Sequence, residues 1–264
     1  IEEEPFDELL GIEDLDIQNK SSWIFKHTIV ELCTAVKGLA LVKLLKMDDS
    51  EGVIYIDPDI MIFNRMDSVV DALAVHDVLL TPHLLTPEDQ VDIIHGNEIV
   101  TTMAHGIFNL GFLAVASTEE GMRFAEWWEK RLFHFCYDDV CTGLFTDQKW
   151  CDFVPVFFPS SKILRDPGYN VATWNILHRP VTKKEGTFYA ADNLLKFYHF
   201  TGYDGGQNYD LLLKKFAKDY PAAFELWDMY DRELHHNGHG EASLESWKYA
   251  TYTNGERIAD HHRW

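Results

Sequence analysis

Apolar and polar positions divide the chain into two kinds of segment. Short β-branched runs stop abruptly at polar residues, and longer stretches repeat apolar residues every three or four positions. Val53-Ile54-Tyr55-Ile56 is too short for a helix and rich in strand formers, so it predicts a buried strand of a parallel sheet. The run stops at Asp57-Pro58-Asp59 and resumes as Ile60-Met61-Ile62-Phe63. Pro58 cannot donate to a sheet ladder, so it marks the end of pairing, and it biases Asp57 toward an extended conformation. Asp77-Val78-Leu79-Leu80-Thr81, closed by Pro82, predicts a second strand. Residues 107–115 predict a third, interrupted by Asn109 and Gly111. Residues 153–158, Ile163-Leu164 and residues 195–200 predict further short strands, the last ending in Thr201-Gly202.

Helical spacing takes over between these runs. Residues 23–46 carry a broad apolar face (Ile29, Leu32, Cys33, Val36, Leu39, Ala40, Val42, Leu44, Leu45). Asp67-Ser68 reads as a helix start, with Val69, Val70, Leu73 and Ala74 on the buried side. Ser117 caps a helix whose Glu120 completes a capping box, and Phe124, Trp127, Trp128 and Leu132 fall at core spacing. A helical pattern runs from Tyr209 to about His235, broken once before Pro221. Residues 1–22 read as an acidic surface helix and loop, residues 84–98 as a polar loop over the site, and the stretch from Asn237 as loosely patterned. Strands alternating with helices predict a single α/β domain with a mostly parallel central sheet.

Composition narrows the function. The 264 residues include 43 acids against 23 Lys and Arg, a formal net charge of -20. That excludes the basic footprint of a nucleic-acid binder and disfavours adhesion to anionic lipid. An acidic protein that handles phosphates needs a metal ion or a local basic group. The four cysteines (Cys33, Cys136, Cys141, Cys151) form no CxxC pair, which reads as reduced, structural thiols. No apolar run approaches the roughly 18 residues of a membrane span, and no leader pattern opens the chain; both point to a cytoplasmic protein, or one at the inner face of a membrane.

Four polar interruptions of apolar runs carry the candidate chemistry. Asp57 and Asp59 flank a bend at a strand end, where open α/β sheets place ligands, and their carboxylates suit a hard divalent cation; the alternative is a solvated acidic turn. Asn109 and Gly111 sit inside a strand, where glycine marks close approach by a ligand or backbone or a β-bulge with Asn109 bonded to a neighbouring segment. Thr146-Asp147-Gln148 offers a carboxylate and an amide that could position a sugar hydroxyl, or a helix cap. His199 ends the strand Phe197-Tyr198-His199-Phe200 as a satisfied core residue or, facing Asp57 and Asp59, as a neutral imidazole ligand. His235, His236, His239, His261 and His262 read as a solvated tail rather than a zinc site. Trp127, Trp128 and Arg131 read as core packing rather than a sugar platform, and Asp138-Asp139 as a surface turn.

In order, Tyr55-Ile56-Asp57-Pro58-Asp59-Ile60, Phe108-Asn109-Leu110-Gly111, Asp147-Gln148 and His199-Phe200-Thr201-Gly202 resemble the signature set of GT-A type, metal-dependent glycosyltransferases. The likeness is to the retaining group related to glycosyltransferase family 8. Thr34-Ala35-Val36-Lys37-Gly38, Leu80-Thr81-Pro82-His83 and Asp166-Pro167-Gly168-Tyr169-Asn170-Val171-Ala172 resemble bacterial glycosyltransferases of surface-polysaccharide synthesis. The resemblance implies a Rossmann-like GT-A domain over residues 1–206 and a helical extension over 207–264. It implies that Asp57, Asp59 and His199 hold Mn²⁺ or Mg²⁺ on a nucleotide-sugar diphosphate. Asp147 and Gln148 would lie beside the anomeric carbon. Lys37, Asp57, His83, Asn109, Gly111, Arg165, Asn170 and Gly202 would contact the donor. The implied reaction moves a sugar, with retention, to a glycan or lipid-linked acceptor. Two features depart from the pattern: the chain opens with acidic, helix-like residues where the family has a base-gripping strand, and Tyr203-Asp204-Gly205-Gly206 replaces the lysine that follows the histidine motif. The rival readings are a non-catalytic scaffold of the same fold and a DxD phosphohydrolase, the latter poorly matched by Ile60-Met61-Ile62.

Overall fold

The computed structural model describes residues 6–203 and 219–263. After a short helix α1 (Lys20–Phe25), Thr28 and Glu31 close a reciprocal capping box: the Thr28 N–H donates to Glu31 Oε2 at 2.7 Å, and the Glu31 N–H to Thr28 Oγ1 at 3.4 Å. This box splits the expected long helix and starts α2 (Ile29–Leu45). Next come β1 (Gly52–Ile56), β2 (Ile60–Ile62), α3 (Asp67–Leu73), β3 (Val78–Pro82), α4 (Val91–Ile93), β4 (Phe108–Ala116) and α5 (Glu119–Phe135). A hairpin of β5 (Asp138–Asp139) and β6 (Leu144–Phe145), α6 (Val154–Phe157), β7 (Ser161–Ile163) and β8 (Val171–Ala172) follow. Then come β9 (Val181–Lys184), β10 (Thr187–Ala190), β11 (Asn193–Leu194), β12 (Phe197–His199) and the helix Pro221–His236.

The fold is mixed α/β, but the expected mostly parallel sheet is not what the described strands form. The central sheet runs β1-β4-β3-β7. β4 lies antiparallel to both β1 and β3, and only the β3–β7 pair is parallel. β1 is therefore a half-exposed edge strand rather than a buried central one, whereas β3 and β4 are buried throughout. A second sheet, β2-β12-β8, stands beside it. The chain crosses from one sheet to the other at Asp57-Pro58-Asp59, so the two aspartates occupy the junction.

One side of the central sheet packs on α2 and α5. Ala35, Leu39 and Val42 meet Phe124, Ala125, Trp128 and Leu132 in the main core. The helices touch backbone to backbone, since a Cβ at Gly38 would lie 2.7 Å from Glu129 Cα. The other side buries Leu79, Phe112 and Ala114 with Val69, Tyr169 and Phe197. The helix Pro221–His236 lays Ala223, Leu226 and Trp227 on Tyr198 and Phe200 of the second sheet.

Several local expectations are corrected. Residues 153–157 are helical: Pro155 sits in the first turn, where its missing N–H costs nothing. A continuous apolar run cannot by itself separate strand from helix. Residues 94–103 wind into a π-helix instead of continuing the loop, with the Thr101 and Thr102 hydroxyls donating to carbonyls five residues back. Thr118, not Ser117, caps α5. Val70 faces outward on α3, 61% exposed. Leu15 and Ile17 enter the core from the acidic N-terminal stretch. Asp138-Asp139 pairs with Leu144-Phe145 instead of forming a bare turn. The C-terminal stretch is anchored: Arg263 is buried and donates to the carbonyls of Phe25, His27 and Tyr249. The helix expected from Tyr209 lies, up to residue 218, outside the described residues.

Candidate metal and transfer site

The interruption of β4 at Asn109 and Gly111 is a large bulge. Leu80 pairs with Leu113 but Pro82 with Phe108, so residues 109–112 lie opposite Thr81 alone. A bulge re-aims the side chains of its strand, and here it turns Asn109 into a buried hub. Asn109 Oδ1 accepts from the Gly111 N–H at 3.1 Å, Asn170 Nδ2 at 3.0 Å and His199 Nδ1 at 3.1 Å. Asn109 Nδ2 lies 3.4 Å from His83 Nε2. Asn170 also donates to Thr81 Oγ1 at 2.9 Å, and Asn175 donates to the His83 carbonyl at 3.2 Å. Three segments that look unrelated in sequence, around His83, Asn109 and Asn170, thus form one polar network under His199.

His199 closes β12. Its ring packs edge-on against Trp174, at 5.3 Å between centroids. Its Nε2 lies 3.0 Å from Asp59 Oδ1. Ligand atoms of Asp57, Asp59 and His199 all fall within 4.8 Å of one another and could hold a metal ion. Because Nδ1 donates to Asn109, Nε2 turns its lone pair toward Asp59 in the neutral ring. Two acceptors this close need a proton or a cation between them. For metal–ligand bonds of 2.0–2.1 Å in an octahedron, neighbouring ligands lie about 3.0 Å apart, which matches the observed separation. Gly111 makes room for this arrangement: a Cβ there would lie 2.5 Å from His199 Cε1. The close approach that the strand glycine signalled is made by the histidine ring.

A second half of the site adjoins the first through Lys37. From α2 its Nζ reaches Asp57 Oδ1 at 3.1 Å and Asp147 Oδ2 at 2.8 Å, lies 4.6 Å from the Tyr55 ring centroid, and touches the Leu110 carbonyl at 3.5 Å. Burial alone would lower the Lys37 pKa, but the Asp147 and Asp57 carboxylates outweigh it and hold it above the ordinary value. The Tyr55 phenol donates to Asp57; burial raises its pKa, as does Asp57, against the opposing pull of Lys37. Three carboxylates facing one lysine leave the ionised site two charges short of neutrality, which a divalent cation would supply.

Asp147 itself is buried, its Oδ1 accepting from Thr146 Oγ1 at 3.1 Å and its carbonyl from Trp128 Nε1 at 3.1 Å. Thr146, a β-branched residue, holds φ at +39°. Such a conformation costs of the order of 1–3 kcal/mol and collects at functional sites. Gln148 Oε1 meets the Leu110 N–H at 3.5 Å, so Gln148 and Lys37 hold the two backbone groups of Leu110 in the bulge.

The structure thus gathers Lys37, Asp57, Asp59, His83, Asn109, Gly111, Asp147, Gln148, Asn170 and His199 into one contact network. It does not gather Arg165, exposed in the loop after β7, with no side-chain contact to the cluster among the described residues. Gly202 lies exposed in the turn after β12, at φ +72°. His83 and Asn170, expected at the donor, are buried and hold Asn109. Tyr55, Thr81, Thr146 and Trp174 were not singled out as site residues. For Tyr55 a signal existed: it lies two positions before Asp57 on the same strand face.

No family model matches the chain. The uncharacterized protein YfnD of Bacillus subtilis (strain 168) is 26% identical over 205 residues, 75% of this chain and 61% of YfnD, so the chain spans about three-fifths of that relative's length. A glycosyltransferase involved in the glycosylation of the major capsid of PBCV-1 has a TM-score of 0.42 and 10% identity, covering 67% of this chain and 73% of that one. The galactosyltransferase LgtC, solved with donor and acceptor sugar analogs, has a TM-score of 0.38 and 16% identity, covering 62% of this chain and 57% of that one. At these scores both likenesses are loose. No helix among the described residues is long and apolar enough to cross a membrane.

Proposed function

We propose that the protein is a metal-dependent glycosyltransferase that moves a sugar from a nucleotide-sugar diphosphate to a glycan or lipid-linked acceptor. The observation that carries the reading is the convergence of Asp57, Asp59 and His199 ligand atoms within 4.8 Å, joined through Lys37 to the buried Asp147. In this reading the three residues hold Mn²⁺ or Mg²⁺. Bound there, the cation would offset the charge that builds on the departing diphosphate. Asp147 stabilises positive charge developing at the sugar, and Gln148 orients a hydroxyl. Lys37 bridges Asp147 and Asp57 and separates the two regions. Among the described residues, Asp57 is the one other carboxylate paired with Lys37 beside Asp147, and in this reading it is a metal ligand rather than a general base, which suits transfer with retention, the leaving phosphate taking the acceptor proton. In this reading the catalytic unit spans residues 1–206 and the remainder is an extension whose helix Pro221–His236 packs on the second sheet.

The test is a panel of nucleotide sugars incubated with the protein and Mn²⁺, reading release of nucleoside diphosphate. Release that requires Mn²⁺ and disappears in the Asp57→Asn, Asp59→Asn double variant is the expected result. Full release by that variant would remove the assignment, and liberation of inorganic phosphate from simple esters would replace it with a phosphohydrolase.

A further inference from the structure

The buried hub beneath the candidate ligands has a consequence for how His199 is presented. We propose that Asn109 is a positioning residue: it fixes the tautomer and aim of His199 so that Nε2 faces the two aspartates, and it does not itself meet the metal. This inference rests on the metal site proposed above.

The hydrogen-bond roles follow without ambiguity from the backbone. The Gly111 N–H can only donate, and it points at one terminal atom of Asn109 from 3.1 Å. That atom is therefore the carbonyl oxygen. The ring nitrogen 3.1 Å from the same oxygen, His199 Nδ1, must then carry the proton. Nε2, 3.0 Å from Asp59 Oδ1, is then the ring nitrogen that faces the candidate cation position. A metal-ligating histidine usually donates its other N–H to a carboxylate, carbonyl or water, and that partner sets the tautomer. Here an amide takes the part.

Asn109 is held in turn. Asn170 Nδ2 donates to its oxygen at 3.0 Å, and its own amide faces His83 Nε2 at 3.4 Å. Burial lowers the His83 pKa to about 4, so His83 is neutral near pH 7 and can accept there. Asn109 is 8% exposed, its oxygen already faces three donors, and one of its two amide N–H groups is turned to His83. The bulge of β4 places the hub, and the absence of a side chain at Gly111 admits the ring. Two motifs that look like donor contacts in sequence, around His83 and Asn170, act here through Asn109 on His199.

The experiment uses the whole chain with ¹⁵N-labelled histidine. Long-range ¹H–¹⁵N spectra of the metal-free protein, taken at a pH where His199 is neutral and assigned by a His199→Gln control, read the tautomer directly. A protonated Nδ1 is expected in the wild type, whether or not Nε2 also carries a proton, and a bare Nδ1 with a protonated Nε2 overturns the proposal. The Asn109→Leu variant removes the acceptor. Its Mn²⁺ affinity should fall about 10–100-fold with the helical circular dichroism unchanged, whereas Asn109→Asp, which keeps an oxygen at the same place, should lie within a few-fold of wild type. Equal Mn²⁺ affinity in folded Asn109→Leu overturns the positioning role. A wild type that takes up no Mn²⁺ defeats the metal reading separately, since the tautomer measurement needs no metal.

Discussion

Replacing Gly111 with alanine adds one methyl group at the point where β4 meets His199. Gly111 does not hold a positive φ, so alanine brings no backbone strain, and the whole effect is contact. The new Cβ would lie 2.5 Å from His199 Cε1, 2.8 Å from Nδ1 and 2.9 Å from Asn109 Oδ1. Carbon atoms prefer about 3.5–4.0 Å, so the ring must retreat by about 1 Å. β12 is pinned between β2 and β8, and Trp174 stands at the ring's flank, which leaves the ring little room. A retreat of that size far exceeds the tolerance of about 0.2 Å on a metal–ligand distance. Overpacking of this kind costs about 1–3 kcal/mol, or about 2–4 °C of Tm per kcal/mol for a chain of this size. The expected outcome is a folded variant with a Tm lower by several degrees and Mn²⁺ affinity reduced at least about tenfold. Thermal melts with and without Mn²⁺, and a calorimetric titration, read both effects. A variant that melts within a degree of wild type and binds Mn²⁺ equally well would show that the ring does not occupy this position.

Two further outcomes follow from the charges. Lys37→Met leaves Asp147 and Asp57 without their shared cation; losing one partner of a buried ion pair costs about 3–5 kcal/mol. A denaturant midpoint unchanged from wild type would refute the pairing seen at 2.8 and 3.1 Å. His27 and His83 are buried neutral, burial taking each from the ordinary 6.5 to about 4. Between those values the unfolded chain binds a proton at each ring and the native one does not, so stability falls as pH drops through 6.5 to 4 and levels off below. Each ring contributes of the order of 3 kcal/mol to that loss. A Tm flat across that window in a His27→Gln, His83→Gln variant and steep in wild type is expected; equal slopes would assign the acid sensitivity elsewhere.

The metal-ligand candidates were legible because polar residues interrupted otherwise apolar runs. Asp57, Asp59 and His199 stand at strand ends and Asn109 inside one, positions that left a shared site and separate local roles both open until the fold brought them together. Strand direction was not legible. Alternation has the same period in parallel and antiparallel ladders, so nothing in residues 107–115 revealed that β4 runs against both neighbours. Nor did that run disclose the bulge opposite Thr81, which needs the partner strand to define it. Lys37 illustrates a different limit. Its place in a helical segment was readable, and the resemblance offered the donor as its partner, yet its carboxylate partners lie 20 and 110 positions further along the chain. Arg165 had charge and proximity in sequence to recommend it, but its loop carries it into solvent.

The central claim is that Asp57, Asp59 and His199 jointly hold one divalent cation that carries a nucleoside diphosphate. Isothermal titration of Mn²⁺ into the protein, with and without a nucleoside diphosphate, measures it most directly. One Mn²⁺ per chain is predicted, bound more tightly with the diphosphate present and lost in each of Asp57→Asn, Asp59→Asn and His199→Gln. Absence of any metal-dependent heat in the wild type, or binding that survives all three substitutions, would contradict it.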